Sequence, residues 1–425
     1  MYDAWGFRES PFQTSSLRAD ETGDRLLVGR VAEVDSFARH LAAPPRAVTV
    51  EGQVGVGKTS LVNVAIFRLL KRYVDEGRGR LYVPALEPLQ LSDGLVVEEF
   101  LDSVYSLLAR SLIQRAREVR GLGWSLPSTQ ALDQWLNDPL IERISGGLGS
   151  LNIQRTAEIN DGVAYMRGGF RAEVRNWLQA VFPTSQAGGV VCLIDNLELL
   201  RTSMQARNLI ENLRDHLFGI PGVRWVFCGA NGITRSVAGS PRLDGYLHAP
   251  VTVRALGEES AREIFSSRLD AYRAWNAEHP PYLPLLEEDF VRLFDVLGSN
   301  TRSALKYADT YCLSVPSDQR LSDREKAESF GRWIEQESSA ALQDCDSQIG
   351  PTAWRVFDYS CESLPQFAPG DYGSFGFQTS QAMVPHVAAL EQNGLVESAI
   401  DETDQRRRTI SITPKGWFVR LARQS

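Results

Sequence analysis

The sequence predicts a three-layer α/β domain with a parallel sheet, followed by a helical segment and by a smaller unit of helices and a β-hairpin. Segments of helical period separate short apolar runs, and strands that alternate with helices favour parallel pairing. Beyond residue 340 the pattern changes, because helices there precede two short strands joined by a polar turn. Runs typical of buried strands occupy residues 48–52, 80–85, 190–195, 223–229 and 250–253.

Length and composition exclude several classes of protein. A chain of 425 residues, 43% hydrophobic and 23% charged, is long enough for two or three domains and is neither disordered nor fibrous. The first residues lack a signal peptide and no apolar run spans a membrane, so we expect a cytoplasmic protein without a membrane partner. Scattered cysteines without a CxxC pair indicate reduced, buried thiols. The net charge of −8 restricts any nucleic-acid contact to a local patch.

The stretch "VTVEGQVGVGKTSLVNVAIFRLL" joins a strand to a helix through a glycine-rich turn at residues 52–59. This turn fits G-x-x-x-x-G-K-[ST], in which backbone N–H groups point inward and bind phosphates. We expect Lys58 to reach the β and γ phosphates, Thr59 to hold magnesium, and the helix N-terminus to attract the same anion. The sequence therefore predicts an ATP and Mg²⁺ site, with further contacts from Gly52, Gly55, Val56, Gly57 and Ser60.

A second strand is expected to end in an acid beside the magnesium. The continuous apolar run in "GGVVCLIDNLELL" ends at Asp195, which is therefore the second predicted magnesium ligand. The next residue is Asn196, where many ATPases with this turn have a glutamate that orients the attacking water. An amide positions water but cannot accept its proton, so we expect slow hydrolysis, with Glu198 as an alternative base. Asn231 follows the next strand and is a candidate contact of the γ-phosphate or the water.

Two downstream arginines are candidates for stabilising charge on a transferring phosphoryl group. Arg242 lies in "GSPRLDGYLHAPVTV", and Arg302 lies near the start of a predicted helix in "LGSNTRSALKYADTYC". Each is able to act from the same chain or from a neighbouring subunit. Self-association with ATP is expected if Arg242 acts across a subunit interface.

The order of these motifs resembles the AAA+ ATPases, especially the branch with origin-initiator ATPases and related bacterial transposition and signal-transduction ATPases. The stretch "LLVGRVAEVDSFARHL" is similar to that branch's VGR-x-x-E box, and "WGFRESPF" is similar to its aromatic-proline lead-in. The resemblance implies that three residues of the box lie by the adenine: Val28, Gly29 and Arg30. It also implies sensing roles, with sensor 1 at Asn231, the arginine-finger region at Arg242 and sensor 2 at Arg302.

The pattern predicts a P-loop AAA+ ATPase core in residues 1–250, a helical lid in 251–340 and a winged helix-turn-helix domain in 341–425. The lid is expected to carry Arg302 onto the nucleotide, so that ATP and ADP favour different lid angles. An insertion at about 111–170 interrupts the core, and its glycine-rich stretch is either a surface linker or a contact for a partner or DNA.

The stretch "LEQNGLVESAIDETDQRRRTISITPKG" resembles the wing of the multiple-antibiotic-resistance-regulator (MarR) type of winged helix. In that family the preceding helix enters the major groove and wing basics touch phosphate or the minor groove. The resemblance implies double-stranded DNA as a partner. Its contacts would come from Ser380, Gln381 and His386 on the helix and from Arg406, Arg407 and Arg408 on the wing.

Docking of a protein remains open as the role of this domain. Winged helices also bind proteins, and Pro385 is expected to interrupt the would-be recognition helix. Glu402 and Asp404 lie beside the wing arginines, which reduces the local positive charge. The insertion at 111–170 is a second candidate surface for a partner protein.

Two hypotheses of function follow. In the first, a slow ATPase acts as a molecular switch that couples nucleotide state and self-assembly to DNA binding. In the second, a scaffold binds ATP without turning it over, and the winged helix docks a partner protein. Asn196 and the acidic net charge favour the scaffold, whereas Lys58, Thr59 and the arginines favour the switch.

Overall fold

The computed structural model describes residues 1–43, 47–92, 94–121, 161–197, 200, 203–230, 233–275, 281–345, 349–401 and 407–424. Within these residues the chain forms a parallel sheet with helices on both faces, a group of helices beyond it, and a small antiparallel sheet. The predicted α/β fold with a parallel sheet is confirmed. None of the helices described has the length and apolar content of a membrane span.

The strands of the parallel sheet are β1 (Val48–Glu51), β2 (Leu81–Pro84), β3 (Leu89–Gln90), β4 (Gly188–Asp195), β5 (Val223–Gly229) and β6 (Val251–Thr252). Their order is β2–β4–β5–β1–β6, and β3 is an additional partner of β4. The five predicted runs correspond to strands of this sheet, whereas β3, which has 2 residues, was not predicted. The strands that carry the glycine-rich turn and Asp195 lie on either side of β5.

Helices flank the sheet and continue beyond it. In the first part of the chain they are α1 (Glu21–Leu26), α2 (Val31–Leu41), α3 (Lys58–Glu76), α4 (Val97–Gly121), α5 (Asp161–Val181), α6 (Ser203–Leu217) and α7 (Ile233–Ala238). In the later part they are α8 (Glu258–Tyr272), α9 (Glu287–Val296), α10 (Thr301–Ser314), α11 (Asp323–Gln343), α12 (Pro351–Ser363), α13 (Ser380–Gln392) and α14 (Pro414–Gln424). Helices α4 and α5 extend into the two ends of the predicted insertion, whose middle lies outside the described residues.

The side chains of β4 explain the three layers. Val190, Cys192 and Ile194 pack in one core with α4, α5 and α6, whereas Val191 and Leu193 pack on the opposite face with α2 and α3. Every residue of β4 is buried, and this explains why the strand appears in the sequence as a continuous apolar run. Burial raises the pKa of Cys192 to about 12, so the thiol stays protonated at neutral pH.

Helices α8 to α11 pack in one core in the segment predicted as the lid, and they are called the lid below. The N-terminal residues pack with them. Trp5, Phe7 and Phe12 are buried in the lid core. The Phe12 ring lies 6.1 Å from the Phe265 ring and 6.0 Å from the Phe290 ring, measured between centroids. The first residues of the chain therefore pack with the lid rather than in either core that borders the parallel sheet.

The C-terminal unit combines α12, α13 and α14 with an antiparallel sheet of order β7–β9–β8. Its strands are β7 (Gln366–Phe367), β8 (Val396–Asp401) and β9 (Arg407–Ile412). The expected interruption at Pro385 was wrong, because α13 continues through this residue. Thr379 caps the helix, and Met383, Val387 and Leu390 bury one face of it, which outweighs the hydrogen bond that proline removes.

One turn joins the C-terminal unit to the lid and to the glycine-rich turn. Gly298 has a φ of 63°, and a Cβ atom at this position would lie 2.6 Å from the ring of Trp417 on α14. Two residues further on, the Asn300 side-chain amide donates to the Val54 carbonyl oxygen at 2.9 Å. The turn at residues 298–300 therefore contacts both the last helix and the predicted phosphate site.

We expect Gly298→Ala to lower the free energy of unfolding by about 1–3 kcal/mol, because the methyl group meets the Trp417 ring and alanine is strained at positive φ. Gly331→Ala is the matched control, since Gly331 lies within α11 with open space around its Cα. That change should be neutral or stabilise the helix by up to about 1 kcal/mol. Urea unfolding of both variants checks the prediction, which equal stabilities would contradict.

Candidate functional site

The glycine-rich turn lies between the end of β1 and the start of α3, at the carboxyl edge of the parallel sheet. Gly55 and Gly57 have φ values of 82° and 97°, which glycine adopts at little cost. A Cβ atom on Gly57 would face open space, so a ligand is able to approach the backbone there. Helix α3 begins without a side-chain cap, and the N-terminus of a helix attracts an anion.

Three side chains meet at this turn. The Lys58 ammonium is buried and donates to the carbonyl oxygens of Gly52 and Gln53 at 3.0 and 3.2 Å. The Thr59 hydroxyl donates to Asp195 Oδ2 at 2.7 Å, across the end of β5. The predicted phosphate-binding and magnesium-binding side chains are thus neighbours in the fold.

The donors at this position fit Mg²⁺. Asp195 is 4% exposed, and its Oδ1 atom is buried without a hydrogen-bond partner. A buried carboxylate oxygen without a partner is costly unless a cation or donor completes it. Carboxylate and hydroxyl oxygens are the ligands that magnesium takes beside phosphates. Thr59 and Asp195 therefore suit a phosphate-bound Mg²⁺ ion.

A cavity adjoins the turn. Its volume is about 850 Å³, including the space open to solvent at its mouth, and it lies between the glycine-rich turn, the N-terminal segment and the lid. Its polar part includes residues 54–60, Asn196, Thr301 and Arg302. Its apolar wall is formed by Leu17, Leu26, Leu27, Val28, Leu256, Ile264 and Leu305. An apolar slot beside a phosphate-binding turn suits the base and the phosphates of a nucleotide.

The VGR-x-x-E box, predicted to lie by the adenine, is found at this cavity, and its three residues make different contacts. Val28 lines the apolar wall. Gly29 has a φ of 67°, and a Cβ atom there would meet Ser260 of α8 at 2.5 Å. Arg30 is 3% exposed and donates to the Val56 carbonyl at 2.8 Å, to the Arg254 carbonyl at 2.5 Å and to Glu33. Arg30 also lines the cavity, and its guanidinium fixes the glycine-rich turn against the segment after β6.

Asn196 and Arg302 both line the cavity. Asn196 has a φ of 55°, a left-handed conformation that asparagine tolerates better than most residues. Arg302 is exposed at the start of α10, and its backbone N–H lies 3.4 Å from the Gly55 carbonyl oxygen. Asn300 caps the same helix by accepting from the Ser303 N–H. Arg302 of the lid thus lies at the cavity, next to the glycine-rich turn.

Other predicted site residues lie elsewhere. Arg242 does not line this cavity; its side chain is 74% exposed and lies 3.3 Å from Glu211. Asn231, Glu198 and Arg406 fall outside the described residues.

The residues predicted to contact DNA lie on the C-terminal unit. Gln381 is exposed near the start of α13, and Ser380 is half-buried beside it. The His386 ring is half-buried and stacks on the Phe377 ring with centroids 5.6 Å apart, as a partly buried core histidine does. Arg407 and Arg408 lie on β9, and their backbones pair with Asp401 and Ile400 of β8.

Sequence reasoning missed two charged groups next to the site. Glu51, the last residue of β1, is buried and accepts from Arg235 of α7 at 2.6 Å and from Thr252 at 2.8 Å. Arg268 of α8 is 6% exposed and lines the cavity. The spacing of these residues along the chain follows no local pattern, so no motif indicates either contact.

No protein-family model and no curated protein sequence matches this chain. Solved structures that it resembles include the ORC2 protein of Aeropyrum pernix in its ADPNP–ADP complexes, at 11% identity and a TM-score of 0.47, covering 98% of each chain. The ORC1 protein of Aeropyrum pernix in complex with DNA is 13% identical, with a TM-score of 0.40, over 94% of this chain and 95% of that one. A Walker-type ATPase of Pyrococcus abyssi is 12% identical, with a TM-score of 0.43, over 97% and 99%. At such identities these likenesses assign no role to individual residues.

We expect Asp195→Asn to reduce the effect of magnesium on ATP binding, because an amide lacks the charge that a divalent cation requires. Chelation of Mg²⁺ should lower wild-type ATP affinity by about tenfold or more, or about 1.4 kcal/mol, and should change the affinity of the variant much less. Isothermal titration with and without EDTA measures both. Asp215→Asn, at an exposed position of α6, is the control that should behave like wild type. An equal loss in Asp195→Asn and wild type would contradict the magnesium assignment.

Proposed function

We propose that this protein is an ATP-binding AAA+ molecular switch. Its lid senses which nucleotide is bound, and the nucleotide state is coupled to DNA binding. The observation that carries the proposal is the Thr59–Asp195 hydrogen bond beside Lys58, at the mouth of a cavity whose other wall is the lid. The domain arrangement that belongs to it is a core in residues 1–250, a lid in 251–340 and a winged helix in 341–425.

In this proposal the residues at the glycine-rich turn and the lid have different roles in binding and hydrolysing ATP. Lys58 turns from its two carbonyl partners to the β and γ phosphates, and the N-terminus of α3 adds backbone N–H donors. Thr59 and Asp195 hold Mg²⁺, which neutralises charge on the phosphates when it is bound. Arg302 approaches the γ-phosphate from the lid, so loss of that phosphate changes the preferred lid angle. Asn196 orients water without accepting its proton, and hydrolysis is slow.

Self-association with ATP belongs to the same proposal. Arg242 is exposed and lies outside the cavity of its own chain. It therefore reaches a nucleotide only across an interface with a second copy, where it stabilises phosphate charge. ATP that completes such an interface promotes assembly by mass action.

The C-terminal unit supports DNA as the partner. Helix α13 buries Met383, Val387 and Leu390 and exposes Gln381 and Val384 on its other face. The β8–β9 hairpin follows this helix, which is the element order of a winged helix. In the proposal α13 reads base edges and the wing arginines contact phosphates.

A scaffold that binds ATP and docks a partner protein is the second candidate. Asn196 after Asp195 favours it, because an amide cannot act as the general base of hydrolysis. The docking surface is then the winged helix or the insertion at about 111–170.

We expect Lys58→Ala to lower ATP affinity by tenfold or more, about 1.4 kcal/mol, because a charge-assisted contact to phosphate is lost. Lys71→Ala is the matched control on the same helix, since Lys71 is exposed and pairs with Glu21. Equilibrium binding of ATP to both variants and to wild type makes the comparison. Wild-type affinity in Lys58→Ala would remove the nucleotide site and with it the proposed function.

A separate prediction concerns the wing. Replacing Arg406, Arg407 and Arg408 by alanine should weaken binding to every duplex and reduce the log–log salt slope by up to about 2.7, at about 0.9 per phosphate contact. Gln381→Ala is the uncharged comparison, and it should keep the slope while relaxing sequence preference by about 1–3 kcal/mol. Fluorescence anisotropy over a salt series measures both variants. If the triple variant keeps the wild-type slope, the wing does not contact DNA and the docking scaffold is the better proposal.

A further inference from the structure

An irregular segment at residues 11–17 connects the lid to the core across the cavity. At one end Phe12 is buried in the lid core between Phe265 and Phe290. At the other end the Leu17 N–H donates to Ser60 Oγ at 3.0 Å, and the Leu17 carbonyl accepts from the Asn63 amide at 2.9 Å. Ser60 and Asn63 both belong to α3, the helix that follows the glycine-rich turn. The segment is therefore anchored to both sides of the site.

Between its anchors this segment borders the cavity. Residues 14–17 line the cavity, and residues 14–16 are at the same time exposed to solvent. The segment therefore borders the cavity close to solvent. Displacing these residues widens the opening between the cavity and solvent.

Arg268 holds the lid end of this segment. Its Nη1 atom donates to the Pro11 carbonyl at 2.8 Å and to the Gln13 carbonyl at 3.1 Å. The side chain is 6% exposed and lines the cavity. Among the described residues no carboxylate forms an ion pair with Arg268, although burial is costly for an unpaired charge. Burial lowers the pKa of Arg268 to about 10, so the guanidinium remains charged at neutral pH.

A buried cation without an acid partner is unusual where only stability is at stake, since an apolar side chain would fill the same space at lower cost. Here the guanidinium joins the covering segment to the lid helix α8 at the wall of the cavity. Any lid movement that shifts α8 therefore pulls on residues 11–13.

We propose that residues 11–17 form a latch over the bound nucleotide and that Arg268 is the positioning residue that ties this latch to the lid. The inference deepens the proposed function and rests on it, because the latch covers the nucleotide cavity. A latch slows both association and release of nucleotide, whereas a residue that only shapes the site changes release and affinity by the same factor.

The test measures release of radiolabelled ADP from the full-length chain after addition of excess unlabelled ADP, together with the equilibrium dissociation constant. Arg268→Met should speed release by tenfold or more and raise the dissociation constant by a clearly smaller factor, because association is also faster. Arg268→Lys keeps the charge and should lie between this variant and wild type. Asn63→Ala releases the other anchor and should also speed release.

Arg262→Met is the matched control, because Arg262 lies on the same helix α8 and its side chain is 44% exposed. It should release ADP at the wild-type rate. Wild-type release rates in both Arg268→Met and Asn63→Ala overturn the latch, as do equal factors in release and affinity. If Arg268→Met does not fold, Asn63→Ala decides alone by the same two measurements. A wild-type chain that binds no ADP overturns the proposed function and the latch together, whereas normal ADP binding with unchanged release in the variants overturns the latch only.

Discussion

The contact between the glycine-rich turn and the start of α10 is the interaction on which the rest of the structure depends. The Asn300 side chain donates to the Val54 carbonyl, and the approach is so close that a Cβ atom on Gly55 would lie 2.7 Å from Asn300 Oδ1. The same turn of the lid receives Trp417 of α14 at Gly298. Gly55 and Gly298 thus leave room for the side chains of Asn300 and Trp417, which bring three parts of the chain into contact. Under the proposed function, these packed contacts connect the phosphate end of the cavity to the C-terminal unit.

A second contact joins the glycine-rich turn directly to the C-terminal unit. The Gln53 side-chain amide lies 3.4 Å from the Gln366 side-chain oxygen, which places β7 of the C-terminal unit beside the glycine-rich turn. The Gln53 backbone carbonyl also accepts from the Lys58 ammonium, so the residue that contacts Gln366 also contacts the side chain proposed to bind phosphate. Under the proposed function, nucleotide therefore biases the C-terminal unit both through the lid and through the turn itself. Coupling of this kind requires two arrangements of the lid that nucleotide stabilises unequally.

The parts of this fold that the sequence predicts are those encoded within a few neighbouring residues. β4 is buried on both faces and therefore appears as an unbroken apolar run, and residues 52–59 require fixed residue types because phosphate must approach the backbone. Contacts between residues that are far apart in the sequence produce no such local pattern. Arg268 is separated by 257 positions from Pro11, and Arg235 by 184 positions from Glu51, so only the folded chain brings them together. At Pro385 a local rule was overridden, since burial of one face of α13 outweighs the lost backbone hydrogen bond.

The position after Asp195 shows how backbone and chemistry act together. At a φ of 55° most side chains cost about 1 kcal/mol or more, and asparagine is among the residues that adopt this conformation most readily. A glutamate there would supply a base for hydrolysis but would strain the turn that ends β4. Asn196 therefore adopts this backbone conformation at low cost, and it also lines the cavity. Under the proposed function the consequence is a long-lived ATP state, because the residue best suited to the turn is unable to take the proton of the attacking water. In such a switch the delay leaves time for assembly and DNA binding before ATP is hydrolysed, so under the proposed function the turn at Asn196 prolongs the ATP state.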